Sequence, residues 1–456
     1  MESNANLDSI TGDPKKAINK LAYPLMASML LIMLNNIIDG AWVAGLGPEP
    51  LAAIGFITPL FMILVGVGNG VGAGANSLIS RYIGAKDRKG ANNAAIHSIF
   101  VAILVAVVLT LILTVFLRDL LIIMGASSVI DYAMEYGIIL FMFTFAILLP
   151  PSFGGIFRAE GDIKRATIPM ATTAIINMII DPIFIYTLGM GIRGAAIATV
   201  IASLIGLFLM IYWMFIKKDT YFEFKLEYYK RKLQMYKDIL IVSIPASLEE
   251  FIMALVAIIM NLYIEIIAGT TMVAVFTAGW RIISIGILPA IAVGTAAITV
   301  AGIAYGAKNI ENLRIGARYS VKLGLILSII VSVIIFVFAD QISLMFAYSA
   351  NSSTLAPMIA EFLRIMVLYI LPVPVGATAA FVFQGMGKGP TSLVITLIRE
   401  LILCVLFAYL LGFVLNLGVL GIYIGLIVGS AIGSVIGYVY LEFYIKKTFK
   451  YRIKAN

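Results

Sequence analysis

The chain of 456 residues contains one cysteine, Cys404, and one histidine, His97. A lone cysteine excludes an internal disulfide, and the two residues together are too few for the His/Cys cluster of a zinc or iron site. Charge is scarce as well. Asp, Glu, Lys and Arg make up 12% of the residues against 62% hydrophobic ones, and the mean hydropathy is +1.05. Soluble globular chains carry about 25% charged residues, so this composition indicates a polytopic membrane protein. The opening MESNANLDSITGDPKK lacks an apolar core, so no cleavable signal peptide is expected there. Cys404, in LILCVLF, reads as a small buried hydrophobe. His97, just after the basic stretch RYIGAKDRKG, reads as interfacial rather than as a ligand.

Long apolar runs are what the sequence has in abundance. Spans of about 20 apolar residues cross a ~30 Å hydrocarbon core. Twelve fit, near 17–45, 51–80, 92–117, 129–157, 165–189, 192–216, 238–267, 272–304, 314–339, 355–384, 390–413 and 418–445. The expected organisation is an all-α polytopic protein. It has a polar tail over 1–16, an N-terminal lobe over 17–216, a linker over 217–237, a C-terminal lobe over 238–445 and a basic tail over 446–456. With the N-terminus inside, every basic residue falls in an inside segment except Arg118, Arg193, Arg281, Arg364 and Arg399. That asymmetry predicts cytoplasmic termini and explains the net charge of +8 without a nucleic-acid partner.

The halves repeat. Residues 51–87 align with 272–309, both reaching Gly-Ala-Lys after a Gly/Ala-rich helix; FRAEG (157–161) aligns with FQGMG (383–387), and LGMGIRGAAIAT (188–199) with LNLGVLGIYIG (415–425). Six spans per half return the chain to its starting side. The lobes are therefore expected to be related by a pseudo-two-fold axis along the membrane normal, the parallel repeat of alternating-access transporters.

Few polar groups interrupt the spans. GVGNGVGAGAN (66–76) superficially resembles a phosphate loop, but it lies inside a membrane helix, where small residues serve close packing. Asp181, in NMIIDPIFIY, is a different matter, because a carboxylate within the bilayer costs several kcal/mol unless paired or protonated. Counting 1.5 Å per residue from Lys164 places it roughly 25 Å along its helix, in the outer half. Asn177 shares its face at i−4, and Pro182 frees the Met178 carbonyl. Thr199 and Asp39 reach a matching depth by the same count. No basic residue of those three helices sits near that level, so the set suits a proton or a small cation held by oxygen ligands.

In the second half, Glu249, Glu250, Arg281, Arg399 and Glu400 all fall near mid-membrane. They read either as a closed salt-bridge network or as a cavity in which Glu249 or Glu250 attracts a cationic substrate. Glu361 and Arg364, spaced i,i+3, read as a self-neutralising pair.

Pro24 fifteen residues before Asp39, FRAEGD after the fourth helix, and NMIIDP followed by GIRGAAIAT together resemble the multidrug and toxic compound extrusion (MATE) family over residues 15–447, closest to its DinF-like and archaeal branch. The resemblance implies a secondary antiporter that exports organic, cationic amphipathic compounds by alternating access in exchange for Na⁺ or H⁺. Asp39, Asn177, Asp181 and Thr199 would then form the coupling-ion site, with the Ala195 backbone and Tyr136 as further ligands. Pro24 and Pro182 would act as hinges. The pattern departs at PSFGG (151–155), where many members carry an asparagine, and at Glu400, where many have a neutral amide. The acid of helix seven in the NorM-like branch also lies further along than Glu249 and Glu250.

The expectation is a monomeric plasma-membrane transporter with a small-molecule substrate and no cofactor beyond the coupling ion. The alternatives are a flippase for lipid-linked saccharides and, more remotely, a membrane-embedded lipid-processing enzyme.

Overall fold

The structure is a computed structural model that describes residues 2–224, 229–344 and 355–453. Residues 225–228 of the expected linker and 454–456 of the expected basic tail lie outside the described residues. Spanning helices dominate the rest, and no strand occurs among the described residues. In chain order they are α1 (Pro14–Ala44), α2 (Pro48–Gly84), α3 (Arg88–Val115), α4 (Ala126–Met142 and Thr144–Ala159, bent by 48°), α5 (Ile163–Thr187) and α6 (Gly191–Lys217). The helical run Leu233–Gly306 is too long for one crossing and breaks at Gly269. Its φ of 77° and ψ of −179° are open to glycine alone. The break yields α7 (233–268) and α8 (270–306). Then follow α9 (Ile310–Val337), α10 (Ala356–Ile370 and Val373–Gly385, bent by 43°), α11 (Gly389–Val414) and α12 (Gly418–Ile453). Twelve spans result among the described residues, as the apolar runs predict.

The sequence repeat is also a repeat of backbone conformation. Lys86 (φ 57°) and Lys308 (φ 58°) end α2 and α8 in the left-handed region. Asp87 and Asn309 then cap α3 and α9 by accepting from Gly90 N and Asn312 N at 2.8 and 2.9 Å. Gly161 (φ 79°) and Gly387 (φ 77°) play matching parts after α4 and α10. There Asp162 N reaches back to Phe157 O at 3.0 Å and Lys388 N to Phe383 O at 2.8 Å. Each motif thus specifies the same stop and restart twice.

Two compact units emerge, one of Met1–Thr11 with Pro24–Ser247 and one of Gly12–Tyr23 with Leu248–Asn456. In the first, the Gly-rich stretch of α2 is a packing seam. A Cβ on Gly155 would strike the Gly72 backbone, and Gly70 and Gly74 lie against Ser247 and Ser243 of α7. In the second, Phe276, Trp280, Phe362, Tyr369 and Tyr423 form one aromatic core, with Phe276 and Trp280 stacked at 5.4 Å. Gly425, Gly429 and Gly433 let α12 lie directly on the α11 backbone at Ala408, Cys404 and Arg399.

One reading is sharpened here and one changes. His97 is fully buried under the segment before α7: its Nε2 accepts from Lys232 N at 3.3 Å, and its ring lies 5.0 and 4.6 Å from those of Tyr229 and Tyr236. Arg364 pairs at 2.7 Å with Asp340, at the start of the short helix Ala339–Leu344, and not with its helix neighbour Glu361.

The loop between α4 and α5 is held to the chain leaving α6. Arg165 bonds Asp219 at 2.7 Å and lies over the Trp213 ring at 5.8 Å, while Tyr221 N donates to Glu160 Oε2 at 2.8 Å. Glu160 is 2% exposed, and burial pushes its carboxyl from 4.5 up to about 8, against the opposing pull of the Tyr221 N–H. Because the folded value lies above the unfolded one, the folded state binds the extra proton between them. Stability is then greatest below about pH 4.5 and falls until about pH 8. Glu160→Gln should flatten the thermal-unfolding profile over that window, and an unchanged slope would refute the assignment.

Candidate ion-binding site

The site forms where α1 meets α5. Asn177 and Asp181, one turn apart on α5, face inward and are 3% and 0% exposed. Asn177 Nδ2 donates to Asp181 Oδ1 at 2.7 Å. Its own Oδ1 accepts from Asn35 Nδ2 on α1 at 3.0 Å. One turn past Asn35, Asp39 meets Asp181 carboxyl to carboxyl. Asp39 Oδ1 and Asp181 Oδ2 are buried and receive no hydrogen bond from any other donor among the described residues. Tyr136 of α4 is buried within electrostatic reach of both acids.

Pro182 shapes the outer wall. It has no N–H to continue the helix, and α5 leaves it through a widened turn over Ile183–Thr187, closed by Leu188 N to Ile183 O at 2.8 Å. That turn brings the Tyr186 hydroxyl to the Trp42 carbonyl, tying α5 back to α1. Pro24 lies inside α1, one turn before Ser28, whose hydroxyl donates to the Pro24 and Leu25 carbonyls at 3.1 and 3.0 Å.

Asp39, Asn177, Asp181 and Tyr136 are therefore brought together. Thr199 is only half buried, and its hydroxyl donates to Ala195 O at 3.0 Å, so those two residues bond each other along α6. Asn35 escaped the sequence reading. Its signal was the i−4 spacing from Asp39, the same spacing that linked Asn177 to Asp181.

The mid-membrane charges of the second unit separate instead of forming one network. Arg399 and Glu400 are a closed pair, Nε to Oε1 at 2.8 Å, and the other Glu400 oxygen accepts from Tyr369 OH at 2.9 Å. Glu249 accepts from Ser392 Oγ at 2.6 Å and Gln384 Nε2 at 3.2 Å. Glu250 and Arg281 are exposed, and neither forms an ion pair among the described residues.

Two ionised carboxylates in contact within a bilayer repel each other strongly, and no basic side chain pairs with either one among the described residues. A proton or a small cation between them removes the repulsion. The donor set is an all-oxygen one of carboxyls and carboxamide, which fits hard monovalent cations as well as a proton.

The profile of the MatE family matches residues 24–183 and 245–410. A probable multidrug resistance protein NorM of Thermotoga maritima is 26% identical over 418 residues, 89% of this chain and 88% of that one. The multidrug export protein MepA of Staphylococcus haemolyticus is 29% identical over 252 residues, 55% of each chain. Among solved structures, a multidrug resistance MATE family transporter of the MOP superfamily in an outward-facing conformation superposes with a TM-score of 0.95 at 36% identity, over 98% of this chain and 99% of that one. The matched segments include most of both sets of spans, and the chain belongs to the MATE family of multi-span membrane transporters, not to an enzyme family.

Proposed function

We propose that the chain is a secondary antiporter of the plasma membrane, with both termini cytoplasmic, that exports organic cations in exchange for Na⁺ or H⁺. The observation that carries this reading is the contact between Asp39 and Asp181, two acids inside the membrane with no basic partner among the described residues. A group whose burial is tolerable only with an ion bound couples ion occupancy to conformation, because the two conformers then differ in ion affinity. Asn35 and Asn177 orient the pair, and Pro24, about three turns below Asn35 on α1, is where that helix can bend as the acids change state. The names of the NorM and MepA relatives support drug export as the transported chemistry.

The deciding experiment is efflux of a fluorescent organic cation from proteoliposomes with Na⁺ and H⁺ gradients imposed separately. One gradient should drive accumulation against the concentration difference. Movement under neither gradient, together with lipid scrambling in the same vesicles, would replace the reading with that of a flippase.

A further inference from the structure

The segment that leads into α7 is tied to α3 by two side chains one turn apart. Asn93 pairs with Lys230 as a second strand would: its Nδ2 donates to Lys230 O at 2.9 Å, and its Oδ1 accepts from Lys230 N at 3.2 Å. His97 holds the next point. Its Nε2 accepts from Lys232 N, while its Nδ1 lies 2.8 Å from Asn93 O. A backbone N–H can only donate, so Nε2 carries no hydrogen, and Nδ1 carries one and donates to Asn93 O. Tyr229 and Tyr236 close over the ring, their hydroxyls 3.0 Å apart, and Phe100 packs on Tyr229 at 5.2 Å.

From this geometry we infer that His97 is a proton-operated latch, which holds residues 229–232 on α3 while its imidazole is neutral and frees them when Nε2 takes a proton. The neutral ring has one donor and one acceptor, and both are used. A proton from water on Nε2 turns that acceptor into a donor facing the Lys232 N–H, so the bond is lost. The same proton adds a positive charge to a segment that already carries Lys230, Arg231 and Lys232, whose side chains are exposed. The titratable groups at the ring are Tyr229, Lys232 and, from α7, Tyr236. Its neighbours one turn away on α3, namely Asn93, Ala94, Phe100 and Val101, are neutral, and no carboxylate pairs with it among the described residues. Nothing there offsets the added charge. Release frees the chain ahead of α7 from α3, and the proton is read on the linker side of the membrane, the cytoplasmic one in the orientation proposed above.

His97 is the chain's one histidine, so labelling histidine with ¹⁵N gives a single-site reporter in the full-length, tag-free protein. The test follows its imidazole nitrogens by NMR in nanodiscs between about pH 5 and about pH 8, the range in which imidazoles titrate. Hydrogen exchange at Lys230 N and Lys232 N is measured alongside, as protection relative to the free-peptide rate at each pH. At pH 8 the ring should be the Nδ1–H tautomer. As it becomes imidazolium, protection of both amides should fall by about tenfold, as expected for losing a buried hydrogen bond. His97→Gln, whose side-chain oxygen can accept from Lys232 N but does not titrate, should keep protection constant over the whole range. Glu160→Gln should leave the wild-type pH dependence in place. An Nε2–H tautomer at pH 8, or protection that stays level as the ring titrates, would make His97 a brace and overturn the inference. So would a pH dependence that survives in His97→Gln or vanishes in Glu160→Gln. If His97→Gln does not fold, the wild-type tautomer and titration decide. None of these readings uses an ion gradient, so failure of the antiport reading leaves the latch standing.

Discussion

Asp181→Asn should abolish gradient-driven efflux while leaving the protein folded, and should if anything raise its thermal stability. The substitution preserves shape and the hydrogen bond from Asn177 Nδ2, since an asparagine oxygen can accept where Asp181 Oδ1 does now. It removes the charge, and with it one of two acids that repel each other when both are ionised. Breaking a buried charge interaction by removing one partner costs about 3–5 kcal/mol, so ion affinity should fall by about 100-fold or more. Two measurements separate coupling from folding. Proteoliposome efflux should drop to the level of protein-free vesicles, and the coupling ion should stabilise the wild type against heat but not the variant. Retained driven transport would remove the carboxyl pair from the mechanism.

Glu400→Ala is expected to give the largest loss of stability. Arg399 and Glu400 are 6% and 1% exposed, and Gly376 and Gly433 press on the Arg399 side chain, which leaves it no route to solvent. Removing Glu400 strands a guanidinium inside the protein, at about 3–5 kcal/mol, which in a chain of this length lowers the apparent Tm by about 3–5 °C. Replacing both residues with methionine removes the stranded charge together with its partner and should recover most of that loss, because well-packed apolar replacements of buried ion pairs are commonly neutral. Efflux by the folded double variant then tells whether the pair is only a brace. Normal transport assigns it to architecture, and lost transport in a stable double variant would place it in the substrate path.

These two cases mark what local sequence rules can reach. Helices impose depth and facing directly, so counting along α1 and α5 was enough to set Asp39, Asn177 and Asp181 together, and hydropathy was enough to count twelve spans. Partners separated along the chain are harder. Arg364 had a helix neighbour of opposite sign in Glu361, yet the start of the short helix after α9 delivers Asp340 at 2.7 Å. His97 followed a basic, polar stretch, and only the returning segment before α7 buries it. The five mid-membrane charges of the second half shared a depth but not a direction, because depth along a helix does not fix its rotation. Rotation alone divides Arg399 and Glu400 from exposed Glu250 and Arg281. The bend within α10, by contrast, was written in LPVP (371–374) and passed over.

The chain of carboxamides from Asn35 through Asn177 to Asp181 has a consequence for leakage. Each amide donates toward the acid, 3.0 Å and then 2.7 Å, so the donors all point one way. A neutral amide does not readily take up a proton on one side and release another on the far side, as a hydroxyl or a water does. The chain thus polarises the acid while insulating it. Protons reaching Asp181 have no onward wire through the two asparagines, and a membrane gradient is not dissipated along that path in the absence of a conformational change.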